Sequence, residues 1–233
     1  MTQVERSGDV AATINHLAAG SFKNHVLTWE ADKLSWLCRA PGSGNHAFRV
    51  YFAPGTVFVW GDIGEYVFIH SDRDSIGWWL CQGGKEGDYP DYFLSKLRAV
   101  GSEKGAKEFY IGDAYDWITE RITELNTELA ADLAECGDDE DEQDERDSLQ
   151  ATAASAVQRW VDLRIAFDEQ LGNEDDDPRC VWGRVYVDAT GDAEVPECEG
   201  PTSSALWVWH AARAFARLHA AREAEAAQPT VAP

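Results

Sequence analysis

The chain has 233 residues, enough to bury one large or two small cores, and 44% of them are hydrophobic, which excludes an intrinsically disordered protein. Its net charge of −22 is concentrated in the second half: residues 1–107 contain 12 acidic and 11 basic side chains, whereas residues 108–233 contain 30 and 9. This balance argues against direct binding to nucleic acid or to an anionic membrane, because both require clusters of Lys and Arg.

Residues 1–107 are predicted to form a β-rich domain with two short helices, after a polar, Ala-rich arm or short helix at 1–20. Five segments rich in β-branched and aromatic residues predict strands, at 22–30, 33–40, 48–52, 56–60 and 65–70. Every connection between them is too short for a crossover helix. The sequence therefore predicts a five-stranded antiparallel meander and an α+β fold.

The middle strand, residues 57–60, is apolar on both faces, which predicts a covering layer on each side of the sheet. After His70 the periodicity changes, and short helices are expected near 72–84 and over 89–100. Core packing is the expected use of Trp78 and Trp79; an exposed aromatic patch for a partner is the alternative.

Residues 108–233 are predicted to form an acidic helical region. Apolar residues recur at steps of four and three, and a second segment ending at Leu171 repeats the spacing, so an antiparallel hairpin is expected over 113–171. Eight of the eleven residues at 137–147 are acidic, which predicts an extended connecting loop. An irregular or β arm at 178–201 and a C-terminal helix at 203–222 follow.

Candidate catalytic chemistry is sparse. His25, Asp62 and His70 would form a hydrolase-like or nuclease-like site at the sheet edge only if the strands bring them together. His70 with Asp72 and Asp74 resembles a metal cluster but equally suits a strand exit and a helix cap. No nucleophile–base pair and no ligand set has motif spacing, so we predict no catalytic residue, no metal and no cofactor.

Cysteine usage and hydropathy indicate the compartment. The five cysteines form no CxxC pair, no apolar leader follows Met1, and no apolar run reaches 18 residues. We expect reduced thiols and a cytoplasmic protein without a membrane segment. A disulfide between Cys180 and Cys198 is the alternative.

The carboxylates of the hairpin are the candidate partner-binding residues. They comprise Asp116, Glu120, Glu124, Glu128 and Asp132, at steps of four on the first helix, and Asp138, Asp139, Glu140, Asp141 and Glu142 in the connection. Their field suits a host or defence-system protein with a basic surface, bound in competition with nucleic acid. A solvated helical face that binds nothing is the alternative.

Several blocks of the first half resemble a family of small accessory proteins of tailed phages and prophages. They are SFKNHVL at 21–27, the Pro41-Gly42 loop, APGTVFVWGDIGEYVF at 53–68 and YPDYFLSKL at 89–97, with LWVWHAARAF at 206–215 as a further match. The resemblance implies a phage protein in an infected bacterial cytoplasm, and it implies no catalytic residue. A counter-defence inhibitor, such as an anti-CRISPR or anti-restriction factor acting by nucleic-acid mimicry, fits this context.

Overall fold

The computed structural model describes residues 5–84, 91–100, 107–135, 140–171 and 177–227 and shows an α+β protein. The chain divides into two units: a helical unit of Met1–Ser7 with Phe109–Glu199, and a β-rich unit of Gly8–Glu108 with Gly200–Pro233. The charge follows this division. The helical unit contains 28 acidic and 7 basic residues, and the β-rich unit contains 14 and 13.

The sheet of the β-rich unit is an antiparallel meander of six strands, each paired with the next along the chain. The strands are β1 (Val26–Glu30), β2 (Ser35–Arg39), β3 (Phe48–Ala53), β4 (Thr56–Gly61), β5 (Gly64–Ile69) and β6 (Leu97–Val100). The α+β class and the antiparallel meander are confirmed, but the predicted count of five is wrong. β1 also begins later than expected, because helix α1 (Ser7–Ser21) and a turn occupy the residues before it.

The sixth strand occupies the last third of the helix predicted over 89–100. Among the described residues of this segment, α3 (Asp91–Ser95) is the helical part; Leu97 pairs with Phe68 in β5 and is 9% exposed. The open edge of β5 offers backbone hydrogen-bonding groups that a local pattern cannot reveal, and pairing with them outweighs helix propensity.

One face of the sheet carries the core of this unit. Phe48, Val50, Val57 and Phe68 are fully buried against helices α1, α2 (Ser75–Gly83) and α7 (Ser203–Ala226). The predicted core packing of the Trp pair holds, since Trp78 and Trp79 are 6% and 0% exposed. The opposite face is not covered as expected: Phe58 and Ile69 remain 37% and 49% exposed.

Helix α7 belongs to the β-rich unit, so its assignment to the acidic helical region is corrected. Val208, Ala212 and Phe215 of α7 are fully buried in the same core as the strands. A Cβ on Gly83 would lie 2.3 Å from the Ala212 carbonyl oxygen, so this glycine permits the close crossing of α2 and α7. Thr202 caps α7 by accepting a hydrogen bond from the Ala205 N–H.

The helical unit is built from α4 (Ile111–Glu135), α5 (Glu140–Leu171) and α6 (Pro178–Thr190). The antiparallel hairpin is present, and its core contains Ile118, Leu163, Phe167 and Trp182, each at most 1% exposed. A second, two-stranded sheet pairs β7 (Lys107–Phe109) with β8 (Glu199–Pro201). No helix among the described residues is long and apolar enough to cross a membrane.

Two predictions in this unit are wrong. The arm expected at 178–201 is helical from Pro178 to Thr190, because Asp177 caps the helix, Pro178 occupies its first turn, and Gly191 ends it at φ +71°. The extended loop expected at 137–147 is helical from Glu140 onward. Carboxylates in a first helical turn interact favourably with the helix dipole, which offsets part of their mutual repulsion.

Candidate functional site

The distal half of the α4/α5 hairpin extends beyond the buried core. Buried positions end at Ile118 in α4 and begin only at Leu163 in α5, and the helix from Ile118 to Glu135 rises about 25 Å. Half-buried Leu125, Leu129 and Leu133 line the seam over this distance. Most other described side chains of this distal half are exposed.

The five carboxylates predicted on α4 do not form one flat row. A step of four residues advances by about 40° around a helix, so five such positions wind through about 160°. Asp116 is half-buried and forms a bidentate ion pair with Arg6, at 2.5 and 3.0 Å. Glu124 pairs with Arg121 of its own helix at 2.8 Å, whereas Glu120, Glu128 and Asp132 are exposed.

The strongest concentration of charge lies at the end of the hairpin, in residues 128–147, which we term the acidic tip. This segment contains eleven carboxylates and one basic residue, Arg146. Arg146 Nη2 donates to the Leu133 carbonyl oxygen at 3.3 Å, which places the first turns of α5 beside the last turns of α4. The structure thereby brings Asp132 and Glu135 of α4 close to the first turns of α5.

Three further carboxylates of the tip were not among the predicted partner-binding residues. Asp144, Glu145 and Asp147 are exposed on α5, where the charge pattern predicts an extended loop without fixed side-chain positions. Of the residues predicted there, Asp138 and Asp139 lie outside the described residues. Glu140, Asp141 and Glu142 begin α5, and their side chains are outside the described part.

The alternative enzymatic site is not assembled. The His25 Nε2 lies 3.2 Å from the His46 carbonyl oxygen, and the Asp62 carboxylate accepts the His46 N–H at 2.6 Å. His70 follows the other end of β5, about 20 Å away along the strand. The three predicted residues therefore do not converge on one cleft.

The two histidines are structural by their surroundings. His25 is 3% exposed, and burial lowers its pKa below the ordinary value of 6.5. His70 is 8% exposed, stacks on Trp78 with ring centroids 4.2 Å apart, and also has its pKa lowered by burial. Burial disfavours the charged form of both rings in the folded state.

The residues proposed with His70 as metal ligands have other partners. Asp74 accepts from the Gly77 N–H as the cap of α2, and Asp72 accepts from the Asp74 N–H. Across the described ranges, no group of three His, Cys, Asp or Glu residues is arranged to hold a metal ion.

Four of the five cysteines lie in the described residues, and two of them are buried. Burial raises the pKa of Cys38 and of Cys198 to about 12, and both are far less reactive as thiols than as thiolates. Cys81 and Cys180 are exposed, and all four of these cysteines are free. The alternative disulfide between Cys180 and Cys198 is therefore absent from the structure.

The fold and the site define an α+β protein that carries an acidic helical hairpin. Comparisons with protein-family models, with curated proteins and with solved structures found no match.

Proposed function

We propose that the protein is an acidic binding protein whose tip occupies a basic, nucleic-acid-binding surface of another protein. The observation that carries this proposal is the acidic tip itself: eleven carboxylates against one arginine, on two antiparallel helices. A merely solvated face does not require such a concentration at one end of a hairpin.

The charge density of the tip resembles that of a nucleic acid. Residues 128–135 of α4 and 140–147 of α5 each span about 12 Å and together carry nine carboxylates and Arg146. This is one net negative charge per about 1.5 Å, compared with one per about 1.7 Å along duplex DNA. A basic surface adapted to duplex phosphates therefore meets a similar field.

The helices supply the order that such mimicry needs. Carboxylates on a helix are held at defined spacings, so a partner does not have to order them on binding. Charge complementarity of this kind accelerates encounter and excludes partners of the same sign. Other acidic proteins and nucleic acids are thereby disfavoured as direct ligands.

The resemblance to phage accessory proteins supplies the biological context of the proposal. A phage protein in the bacterial cytoplasm encounters defence and regulatory proteins that act on nucleic acid. We place the chain among counter-defence inhibitors, with an anti-CRISPR or anti-restriction factor as the specific form. The alternative function, a small hydrolase or nuclease-like enzyme, receives no support. His25 and Asp62 are linked to His46 near one end of β5, and His70 follows the other end of this strand.

The test compares two triple variants with the same change of charge. The tip variant combines Glu128→Gln, Glu135→Gln and Glu145→Gln. The control variant combines Glu169→Gln, Glu194→Gln and Glu197→Gln. All six residues are exposed. Each variant and the parent are used to capture partners from a bacterial lysate, with and without competing duplex DNA.

The expected result is one captured basic protein that the parent and the control variant retain, that DNA displaces, and that the tip variant loses. Equal capture by the tip variant, or capture that DNA does not affect, would contradict the proposal.

A further inference from the structure

The β-rich unit contains a cavity whose charged lining residues are basic, in contrast to the carboxylates of the acidic tip. An open cavity of about 720 Å³ is lined by α1, the end of α2 and one side of α7. Its volume lies in the range of small-molecule pockets, about 300–1,000 Å³. In a chain with net charge −22, its described lining contains no Asp or Glu and includes two arginines and two histidines: His210, Arg213, Arg217 and His219.

The cations lie on consecutive turns of α7. His210, Arg213 and Arg217 occupy positions i, i+3 and i+7, so they share one face of the helix. The last two are one turn apart, which separates them by about 6 Å along the axis. Two guanidinium groups at this spacing can both donate to the oxygens of one phosphate.

One of these cations, Arg213, has no polar partner among the described residues. Arg217 Nη2 donates to the Phe22 carbonyl oxygen at 2.9 Å, and His210 Nε2 lies 2.7 Å from Asn15 Oδ1. Arg213 is half-buried, and it forms no ion pair or hydrogen bond with any residue in the described ranges.

Most of the remaining lining is apolar, and much of it is small. Ala18, Ala19, Ala214 and Ala220 line the cavity together with the larger Phe22 and Leu80. An apolar body fits this part of the cavity, while the arginines hold an anionic head. The cavity therefore suits a molecule that has an apolar body and an anionic head.

We infer that this cavity binds a small organic phosphate monoester, with the phosphate on Arg213 and Arg217 and the organic body among the alanines. A doubly charged phosphate matches the two guanidinium groups better than a singly charged carboxylate does. The site is independent of the acidic tip, so neither proposal depends on the other.

The probe is phenyl phosphate, titrated into the full chain by calorimetry, with benzyl alcohol and benzoate as neutral and singly charged analogues. We expect saturable one-to-one binding of phenyl phosphate, weaker binding of benzoate and none of benzyl alcohol. Arg213→Gln should weaken phenyl phosphate binding about tenfold or more with little change in the melting temperature, because Arg213 forms no ion pair or hydrogen bond with any described residue.

The matched control is Arg39→Gln, which removes an exposed arginine of the same unit that lies outside the cavity. It should bind phenyl phosphate as the parent does. The inference is overturned if phenyl phosphate does not saturate one site, if Arg213→Gln binds as tightly as the parent, or if benzoate binds equally well.

Discussion

Arg146 of α5 donates a hydrogen bond to the main-chain carbonyl oxygen of Leu133 in the last turn of α4. The only basic residue in the sequence of the acidic tip therefore links the two helices, beside the half-buried leucines of the seam. Arg146→Gln should loosen the tip and cost about 1–2 kcal/mol of local stability, because a charge-assisted hydrogen bond is lost and repulsion among the carboxylates is less compensated. Hydrogen exchange of the amides at 128–135 and 143–150 measures this.

The matched control for that experiment is Arg159→Gln, which removes an exposed arginine of the same helix nearer the core. Exchange at the tip should stay at the parental rate in the control. Unchanged protection in Arg146→Gln would mean that the half-buried leucine seam alone holds the tip.

Neutralising the first helix should weaken partner binding without destabilising the fold. The variant that combines Glu120→Gln, Glu124→Gln and Glu128→Gln removes the repulsion between like charges four residues apart, which is about a few tenths of a kcal/mol per pair. It also loses the exposed ion pair of Glu124 with Arg121. The melting temperature should be unchanged or higher, while the association rate with the partner falls. Stopped-flow binding at several salt concentrations measures the effect, because parental association should slow steeply with salt.

A substitution at Val59 tests the placement of strand β4 in the sheet. It is 2% exposed in the core, so Val59→Asp places an unpaired charge among apolar side chains and should unfold the β-rich unit, at a cost of several kcal/mol. The neighbouring Phe58→Asp is the control, since Phe58 is 37% exposed on the opposite face and should lose only about 1 kcal/mol. Cooperative melting of Val59→Asp at the parental temperature would refute the register of β4.

The buried histidines predict a pH dependence of stability. Burial lowers the folded-state pKa of His70 and His25 below the ordinary value of 6.5, so the unfolded chain takes up protons first as the pH falls. Their contribution to stability is complete above pH 6.5 and is lost as the pH falls through the lower folded-state pKa. His70→Gln should therefore flatten the loss of stability of the β-rich unit below pH 6.5.

That slope is measured by hydrogen exchange of the β3 and β4 amides from pH 7.5 downward, after correction for intrinsic exchange rates. His16→Gln, at an exposed position of α1, should keep the parental slope. If the stability of His70→Gln falls with decreasing pH as steeply as that of the parent, groups other than His70 cause the pH dependence.

The elements that could be predicted from the sequence are those whose residue pattern lies within the element and its flanking turns. Strands β3 to β5 alternate or run apolar between turns that contain Gly55 and Gly61, and both glycines adopt positive φ. The α4 and α5 stripes follow from their spacing alone. Strand β6 could not be predicted in this way, because Leu97 is placed by the edge of β5, which only the folded sheet provides.

The misassigned helix α6 is a different case, because its signals were present in the sequence. Asp177 and Pro178 mark a helix start and Gly191 marks its end, but the β-branched and aromatic content between them was given more weight. For the site, composition located the charge in the second half. The spatial meeting of the α4 and α5 carboxylates at one tip required the hairpin geometry.

The order of the units along the chain has a consequence for synthesis on the ribosome. The strands of the β-rich unit are made first, but α7, which covers their apolar face, follows only after Phe109–Glu199 has been translated. At about 5–20 residues per second, the nascent sheet and the helices α1 and α2 wait several seconds for α7, so the apolar face that contains Phe48, Val57 and Phe68 is only partly covered during this interval. The β-rich unit therefore completes its core after the residues of the helical unit have been synthesised.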